Sequence, residues 1–261
     1  MITGIAAGVP YALLPGERAD SPLVAAWHLV DSPRTERAFA AAVPLDGLDA
    51  WRVYFGLPLT GARLPEGGMD ELRRRVSADP VLEAYRFIAG GAADEFPAAL
   101  AAVREEHRIA DGPMGVMGDS MGGMVAQLVV AESGFDIRAA VLINPVVSLR
   151  RTIDALSALH GLEYTWTRSA DAFAERADFL LRAGELTGTA VRYITGADDM
   201  QDTIVKPVEE VVAALAGTAD HRVVGGMGHA LAEEPGTDPA PQTAHAAEVD
   251  RLATEWFKQH L

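Results

Sequence analysis

The sequence predicts an α/β fold: a mostly parallel, twisted sheet with helices on both faces. Short apolar runs alternate along the chain with stretches of helical period, the order in which parallel strands and crossover helices follow one another. One such run, Met114 to Met117, passes directly through a glycine-rich turn into a second apolar segment, giving strand, tight turn and helix. The chain has 261 residues, 49 % hydrophobic and 23 % charged, enough for one large domain with a sizeable core. No linker divides it.

Taken in order, Tyr11 to Leu14 and Leu23 to Leu29 read as a strand pair joined through Pro15-Gly16. Ser32-Pro33 then predicts a helix start, with Ser as N-cap, Pro at the first helical position, and Phe39 and Val43 on one face. Trp51 to Phe55 is the next strand. A long loop punctuated by Gly56, Pro58, Gly61, Pro65, Gly67 and Gly68 follows, up to a helix that Asp70 is expected to cap. Asp79-Pro80 begins another helix, interrupted at Gly90-Gly91, and Phe96, Leu100, Val103 and His107 form a helical stripe after it. His107 on that stripe reads as structural.

Beyond the glycine-rich turn, Met124 to Val130 is helical and closed by Gly134, and Ala139 to Ile143 and Ala190 to Thr195 are strands. The intervening segment reads as mostly helical. Ile204, Val208, Val211, Val212 and Leu215 mark a helix stopped by Gly217, with Asp202 as its expected cap. His221 to Val224 is a last strand, and Val249, Leu252, Trp256 and Phe257 mark a C-terminal amphipathic helix. In such a sheet, ligand chemistry belongs at the carboxyl ends of the strands.

Charge narrows the range of partners. Twenty-two Lys and Arg against 37 Asp and Glu leave −15, which repels a phosphate backbone or an anionic membrane surface. The basic run Arg73-Arg74-Arg75 sits among Asp70, Glu71 and Asp79 and reads as a solvated helix face. No nucleic-acid or membrane partner is expected. The absence of cysteine excludes thiolate catalysis, disulfides and cysteine-held metal sites. Met1 to Pro15 has no Lys or Arg ahead of its apolar residues, and no apolar run reaches ~18 residues, so a cytoplasmic protein is expected.

Gly118-Asp119-Ser120-Met121-Gly122 matches G-x-S-x-G. A strand that turns sharply into a helix leaves little room beside the central serine, and glycine on both flanks removes the clash. The turn lifts the Ser120 hydroxyl above the strand ends, and the helix start behind it aims N–H groups at an oxyanion forming there. A serine nucleophile needs a base, and the base needs an acid. Tyr193 to Asp199 places acids just past a strand end, and Gly225-Gly226-Met227-Gly228-His229 places a histidine in a flexible loop after the last strand. His160, His245 and His260 lack that context. A metal site at Asp198, Asp199 and Asp202 has no histidine at ligand spacing.

With Ser120, then an acid, then His229 in that chain order, the sequence resembles the α/β-hydrolase superfamily of serine hydrolases over nearly its whole length. The resemblance implies Asp199 as the acid, through a G-x-x-D pattern after a strand, with Asp198 as the alternative. It implies an oxyanion hole from the N–H groups of Met121 and of Leu29, which follows His28. The chain departs from the pattern there, because Leu29 stands where many lipases and esterases carry glycine, and its side chain is expected to crowd the substrate pocket. His28 itself reads as a strand-end residue whose imidazole bonds backbone.

The segment from Asn144 to Gly188 falls where the superfamily carries its lid. Its apolar residues Leu159, Leu162, Tyr164, Trp166, Phe173 and Phe179 can roof a pocket or simply pack on the sheet. Val30 and Trp166 are the expected pocket residues. Together these features imply a cofactor-free enzyme cleaving a small to medium uncharged carboxylic ester. A thioesterase, lactonase, amidase or acyltransferase would use the same parts, and a non-catalytic binding protein could retain them.

Overall fold

The computed structural model describes residues 1–159, 161–215 and 217–261. Eight strands among these make one sheet: β1 (Ile2–Ala6), β2 (Val9–Leu14), β3 (Leu23–Trp27), β4 (Trp51–Phe55), β5 (Met114–Asp119), β6 (Ile137–Ile143), β7 (Ala190–Gly196) and β8 (Ala219–Val224). Their spatial order is β1-β2-β4-β3-β5-β6-β7-β8. The first two pairings, β1 with β2 and β2 with β4, are antiparallel, and every later pairing is parallel. The carboxyl ends of β3 and of β5 to β8 therefore open along one edge.

The expected strand pair at the start is corrected in two ways. Val9–Leu14 pairs not with Leu23–Trp27 but with β1 and β4, so β4 lies between β2 and β3. The first partner, β1, was hidden because its isoleucines are exposed, Ile5 at 72 %, and give no apolar run. The hairpin turn is Ala7-Gly8, both at positive φ (48° and 85°), a geometry that suits the twist of a two-residue hairpin.

Side chains of the central strands alternate between two apolar layers, as the period of two requires. Ala25, Trp27, Val53 and Phe55 face one layer, and Val24, Ala26 and Tyr54 face the other. The second layer is covered by α1 (Glu36–Ala42) through Phe39 and by α8 (Ala244–His260) through Val249, Leu252 and Phe257. The first is covered by a wide π-helical segment, Pro80–Gly90, and by α3 (Gly91–His107), α4 (Met121–Glu132) and α7 (Lys206–Ala214). Phe96 is the keystone there, edge-on to Trp27 at 5.0 Å and to Phe55 at 5.7 Å, and 1 % exposed. Truncating such a ring to alanine removes about 3–5 kcal/mol.

Several helix starts differ from the expectation. Thr35, not Ser32, caps α1 by accepting from Ala38 N at 3.2 Å, because the Ser32 hydroxyl instead donates to the Glu233 carbonyl at 2.9 Å. Helix α2 (Gly68–Ala78) begins after Gly67 in the left-handed region, so Asp70 sits inside its first turn and pairs with Arg73. Asp79 does cap the next segment, accepting from Leu82 N at 2.9 Å. That segment continues through Gly90-Gly91 without interruption, since both glycines keep right-handed helical dihedrals. The glycine at 90 serves packing: a Cβ there would stand 3.0 Å from the Phe173 ring. Asp202 pairs with Lys206 one turn on and caps nothing.

The segment after β6 forms α5 (Leu149–Leu159) and α6 (Arg168–Arg176). Phe173 and Phe179 are buried in the first apolar layer, while Leu159 and Leu162 are largely exposed. Among the described residues, no helix is long and apolar enough to cross a membrane.

Candidate active site

Ser120 occupies the turn between β5 and α4 at φ 52°, ψ −108°. A non-glycine residue at positive φ is strained, and it persists only where its surroundings enforce it. The enforcement is visible in the flanking glycines. A Cβ on Gly118 would lie 2.0 Å from the Gly122 carbonyl oxygen, and one on Gly122 would lie 2.1 Å from that of Trp27. Hydrogen bonds from Ser120 N to Ile143 O (2.9 Å) and from Val146 N to Ser120 O (3.3 Å) fasten the turn to the end of β6.

The Ser120 Oγ lies 2.8 Å from His229 Nε2, and His229 Nδ1 lies 2.9 and 3.1 Å from the two carboxylate oxygens of Asp199. An ionised carboxylate only accepts, so Nδ1 carries the proton, Nε2 is the acceptor, and the serine hydroxyl donates to it. The two acids that the sequence left open differ in placement. Asp199 is 5 % exposed and bonded to His229, whereas Asp198 is exposed. Asp199 Oδ1 also accepts from Met200 N at 2.6 Å, which fixes the carboxylate.

The loop bearing His229 is held from several sides. Gly196 has no side chain, which lets the loop pass: a Cβ there would meet the Met227 carbonyl oxygen at 2.2 Å. Asp198 N donates to that carbonyl at 2.9 Å, and Leu231 N donates to Ser32 O at 3.0 Å. Asn144, fully buried at the end of β6, donates through Nδ2 to the carbonyls of Gly228 and His229, both at 3.3 Å. Its Oδ1 accepts from Gly196 N at 2.9 Å. This residue joins the strand that carries the acid to the loop that carries the histidine. Sequence reasoning passed over it; its one signal is an amide directly after the apolar run Ala139 to Ile143.

Burial lowers the pKa of His229, but the hydrogen bond and charge of Asp199, with Asp119 and Asp31 adding to them, outweigh it and leave the pKa raised. Asp119 is fully buried, and neither of its carboxylate oxygens has a hydrogen-bond partner among the described residues. Desolvation accordingly pushes its pKa well above the carboxylate range.

His28 is also fully buried. Its Nδ1 donates to Leu29 O at 2.6 Å, Nε2 accepts from Leu57 N at 3.3 Å, and burial lowers its pKa to about 4. It is a neutral, backbone-bonded residue, as expected. His107 is bonded to the Tyr11 hydroxyl at 2.7 Å. His260 packs at a tilt against Trp256 within α8, His245 lies in the first turn of that helix, and His160 lies outside the described residues. Among the described residues, no group of three potential ligands is arranged to hold a metal ion.

Three cavities meet at Val30. A chamber of about 290 Å³ is lined by Ser120, Met121, His229, Asp31 and Arg34. An arm of about 640 Å³ shares Val30, Tyr85, Met121 and Leu156 with that chamber and runs between α2, the π-helical segment and α5. A second arm of about 490 Å³ shares Val30 and Arg34 and runs toward Thr60 and Met69. Val30 thus lines all three spaces. Two expectations are corrected. The Leu29 side chain is fully buried and lines none of these spaces, so it does not crowd them. Trp166 lines none of them either, because its neighbours hold it on the outside of α5. Its N–H donates to Asp154 Oδ1 at 2.9 Å, and the Arg150 guanidinium lies 4.0 Å from the ring. Tyr164, two residues earlier, takes the wall position.

This architecture recurs among solved structures. TT1662 from Thermus thermophilus aligns with a TM-score of 0.67 at 19 % identity over 99 % of this chain and 97 % of its own. MGS-MChE2, an α/β-hydrolase enzyme from a lagoon-sediment metagenome, aligns with a TM-score of 0.60 at 17 % identity over 99 % of each chain. The protein has the α/β-hydrolase fold. Dienelactone hydrolase from Anabaena variabilis is similar to this α/β-hydrolase-fold chain too, with a TM-score of 0.61, 18 % identity, and 100 % and 96 % of the two chains covered. No protein-family model and no curated protein matches the sequence.

Proposed function

We propose that the protein is a serine hydrolase that cleaves a small to medium uncharged carboxylic ester through an acyl-enzyme. The observation that carries this reading is the continuous hydrogen-bonded path from Ser120 through His229 to Asp199, set at the start of α4 and opening into a chamber. In the proposed mechanism, Ser120 Oγ attacks the ester carbonyl as its proton passes to His229 Nε2. Asp199 keeps the imidazole in the correct tautomer and stabilises the imidazolium. The oxyanion is held by the N–H of Met121, unpaired at the helix start, and by a second N–H from the turn at Leu29 and Val30. His229 then returns the proton to the leaving alkoxide, and water repeats the sequence to release the acid. The steps need no metal or organic cofactor.

The larger arm suits the acyl group. Leu72, Ala84, Ile88, Ile153 and Leu156 give it apolar walls, and α5 and Tyr164 from the segment after β6 close one side of it. That gives part of Asn144 to Gly188 a roofing role and leaves Phe173 and Phe179 as core packing. Thioester, lactone or amide cleavage, or acyl transfer, would use the same residues.

Labelling with a serine-reactive organophosphonate followed by peptide mapping tests the proposal, with a panel of ester, thioester, lactone and amide substrates run beside it. Modification of Ser120, and its loss together with turnover in Ser120→Ala, is the expected result. Label on another serine, or ligand binding without turnover of any substrate, overturns it.

A further inference from the structure

The second arm holds a carboxylate with nothing to bind. Glu36, at the first position of α1, is 9 % exposed and lines this cavity. Its carboxylate sits in a recess beside Gly56 and Gly61, where a Cβ would come within 3.1 and 4.0 Å of Oε2. Among the described residues it has neither a hydrogen-bond nor an ion-pair partner. Most of the charged and polar groups around it have partners of their own, although Arg34 Nε is buried without one among the described residues. Arg34 bonds Glu234 at 2.6 and 2.8 Å, and Arg37 pairs with Asp238 at 3.5 Å. Thr35 donates to the Thr237 carbonyl, and Thr60 donates to that of Leu57. The start of α1 favours a negative charge at this position, yet a helix end alone does not explain a carboxylate that lines a cavity adjoining the Ser120 chamber.

Resting on the reading of Ser120 as nucleophile, we infer that this arm is the leaving-group subsite and that Glu36 selects an alcohol bearing a primary ammonium group. A buried carboxylate gains most from a charge-assisted hydrogen bond to a cationic donor. A primary ammonium supplies three such donors, and among the described residues no aromatic side chain lines the arm to favour a quaternary ammonium instead. The rest of the wall, Leu59, Leu64, Met69 and Leu72, suits an alkyl spacer between the ester oxygen and the cation. The apolar acyl arm and this second arm, where Glu36 stands with the ion-paired Arg34 and Arg37, diverge at Val30, so that the scissile bond would lie between them at Ser120.

The test compares two isosteric esters, 5-aminopentyl butyrate and hexyl butyrate, at neutral pH, where the amine is charged. The wild type is expected to favour the amino ester by about tenfold or more in kcat/KM, and Glu36→Gln to bring the ratio near one. Absence of a preference in the wild type, or the same preference in Glu36→Gln, overturns the subsite. A wild-type measurement covers the case in which the variant fails to fold. Pentylammonium should inhibit p-nitrophenyl butyrate hydrolysis more strongly than 1-pentanol, and equal inhibition overturns the inference. If no ester is turned over, the hydrolase reading fails separately. The subsite is then decided by calorimetric titration of pentylammonium into wild type and Glu36→Gln, where binding independent of Glu36 refutes it.

Discussion

Asp198 and Asp199 are chemically identical neighbours, and burial separates them. The side chain of Asp199 lies under His229 with its oxygens committed, while that of Asp198 is solvated. Under the proposed mechanism, Asp199→Asn places an amide against Nδ1, favours the wrong tautomer, and lowers kcat by about 10⁴-fold. Asp198→Asn is expected to stay within about tenfold; steady-state kinetics of the two variants decide, and the reverse ranking transfers the role. The same pair sets the pH profile. His229 accepts a proton only when neutral, and its pKa is raised by Asp199 despite burial. Activity should therefore rise with pH along a limb whose midpoint lies above the ordinary imidazole value of ~6.5. A kcat/KM profile with its midpoint below that value contradicts the electrostatics described.

Elements matter here chiefly through what joins their ends. The acid follows β7 and the histidine follows β8, two parallel strands whose ends have no reason of their own to keep a 2.9 Å contact between side chains. Asn144, at the end of β6, supplies one by binding Gly196, Gly228 and His229 at once. Asn144→Ala leaves buried polar backbone groups unpaired, at about 1–3 kcal/mol of stability. Because the loss falls on the placement of His229 and not on the cavity walls, kcat should drop with KM little changed. Chemical denaturation together with steady-state kinetics reads both effects; an unchanged kcat would make Asn144 a purely structural residue.

At the scale of the molecule, the sheet edge, the π-helical segment and α5 together decide what reaches Ser120. The arm of about 640 Å³ that the proposed mechanism gives to the acyl group is lined by Leu156 and Tyr164, not by Leu29 or Trp166. Each methylene buried in it contributes about 0.8 kcal/mol, so kcat/KM should climb several-fold per added carbon until the wall is met, then fall. A series of p-nitrophenyl esters is expected to peak at medium chain length, to shift to shorter chains in Leu156→Trp, and to keep its optimum in Trp166→Ala. A shift in the tryptophan variant alone would move the acyl group to the other side of α5.

Local chemistry determined much of this protein in advance. The turn at Ser120 was legible because its steric demand falls on consecutive residues: glycines at 118 and 122 are what a strand turning at once into a helix requires. The alternation of strand and helix was legible for the same reason, and the chain order of Ser120, an acid and His229 was legible through the resemblance to the α/β-hydrolase superfamily. What stayed hidden depends on groups far apart in sequence. The first strand has exposed side chains and is defined by its partner; Ser32 lost its capping role to a carbonyl two hundred residues on; and Asn144 binds both the end of β7 and the loop after β8. Burial separated Asp199 from Asp198, and the direction of side chains put Val30 and Tyr164, not Leu29 and Trp166, on the cavity walls. Sequence fixes which chemical groups are present and how adjacent ones must turn, but which of them meet, and which face water, follows only from the packed chain.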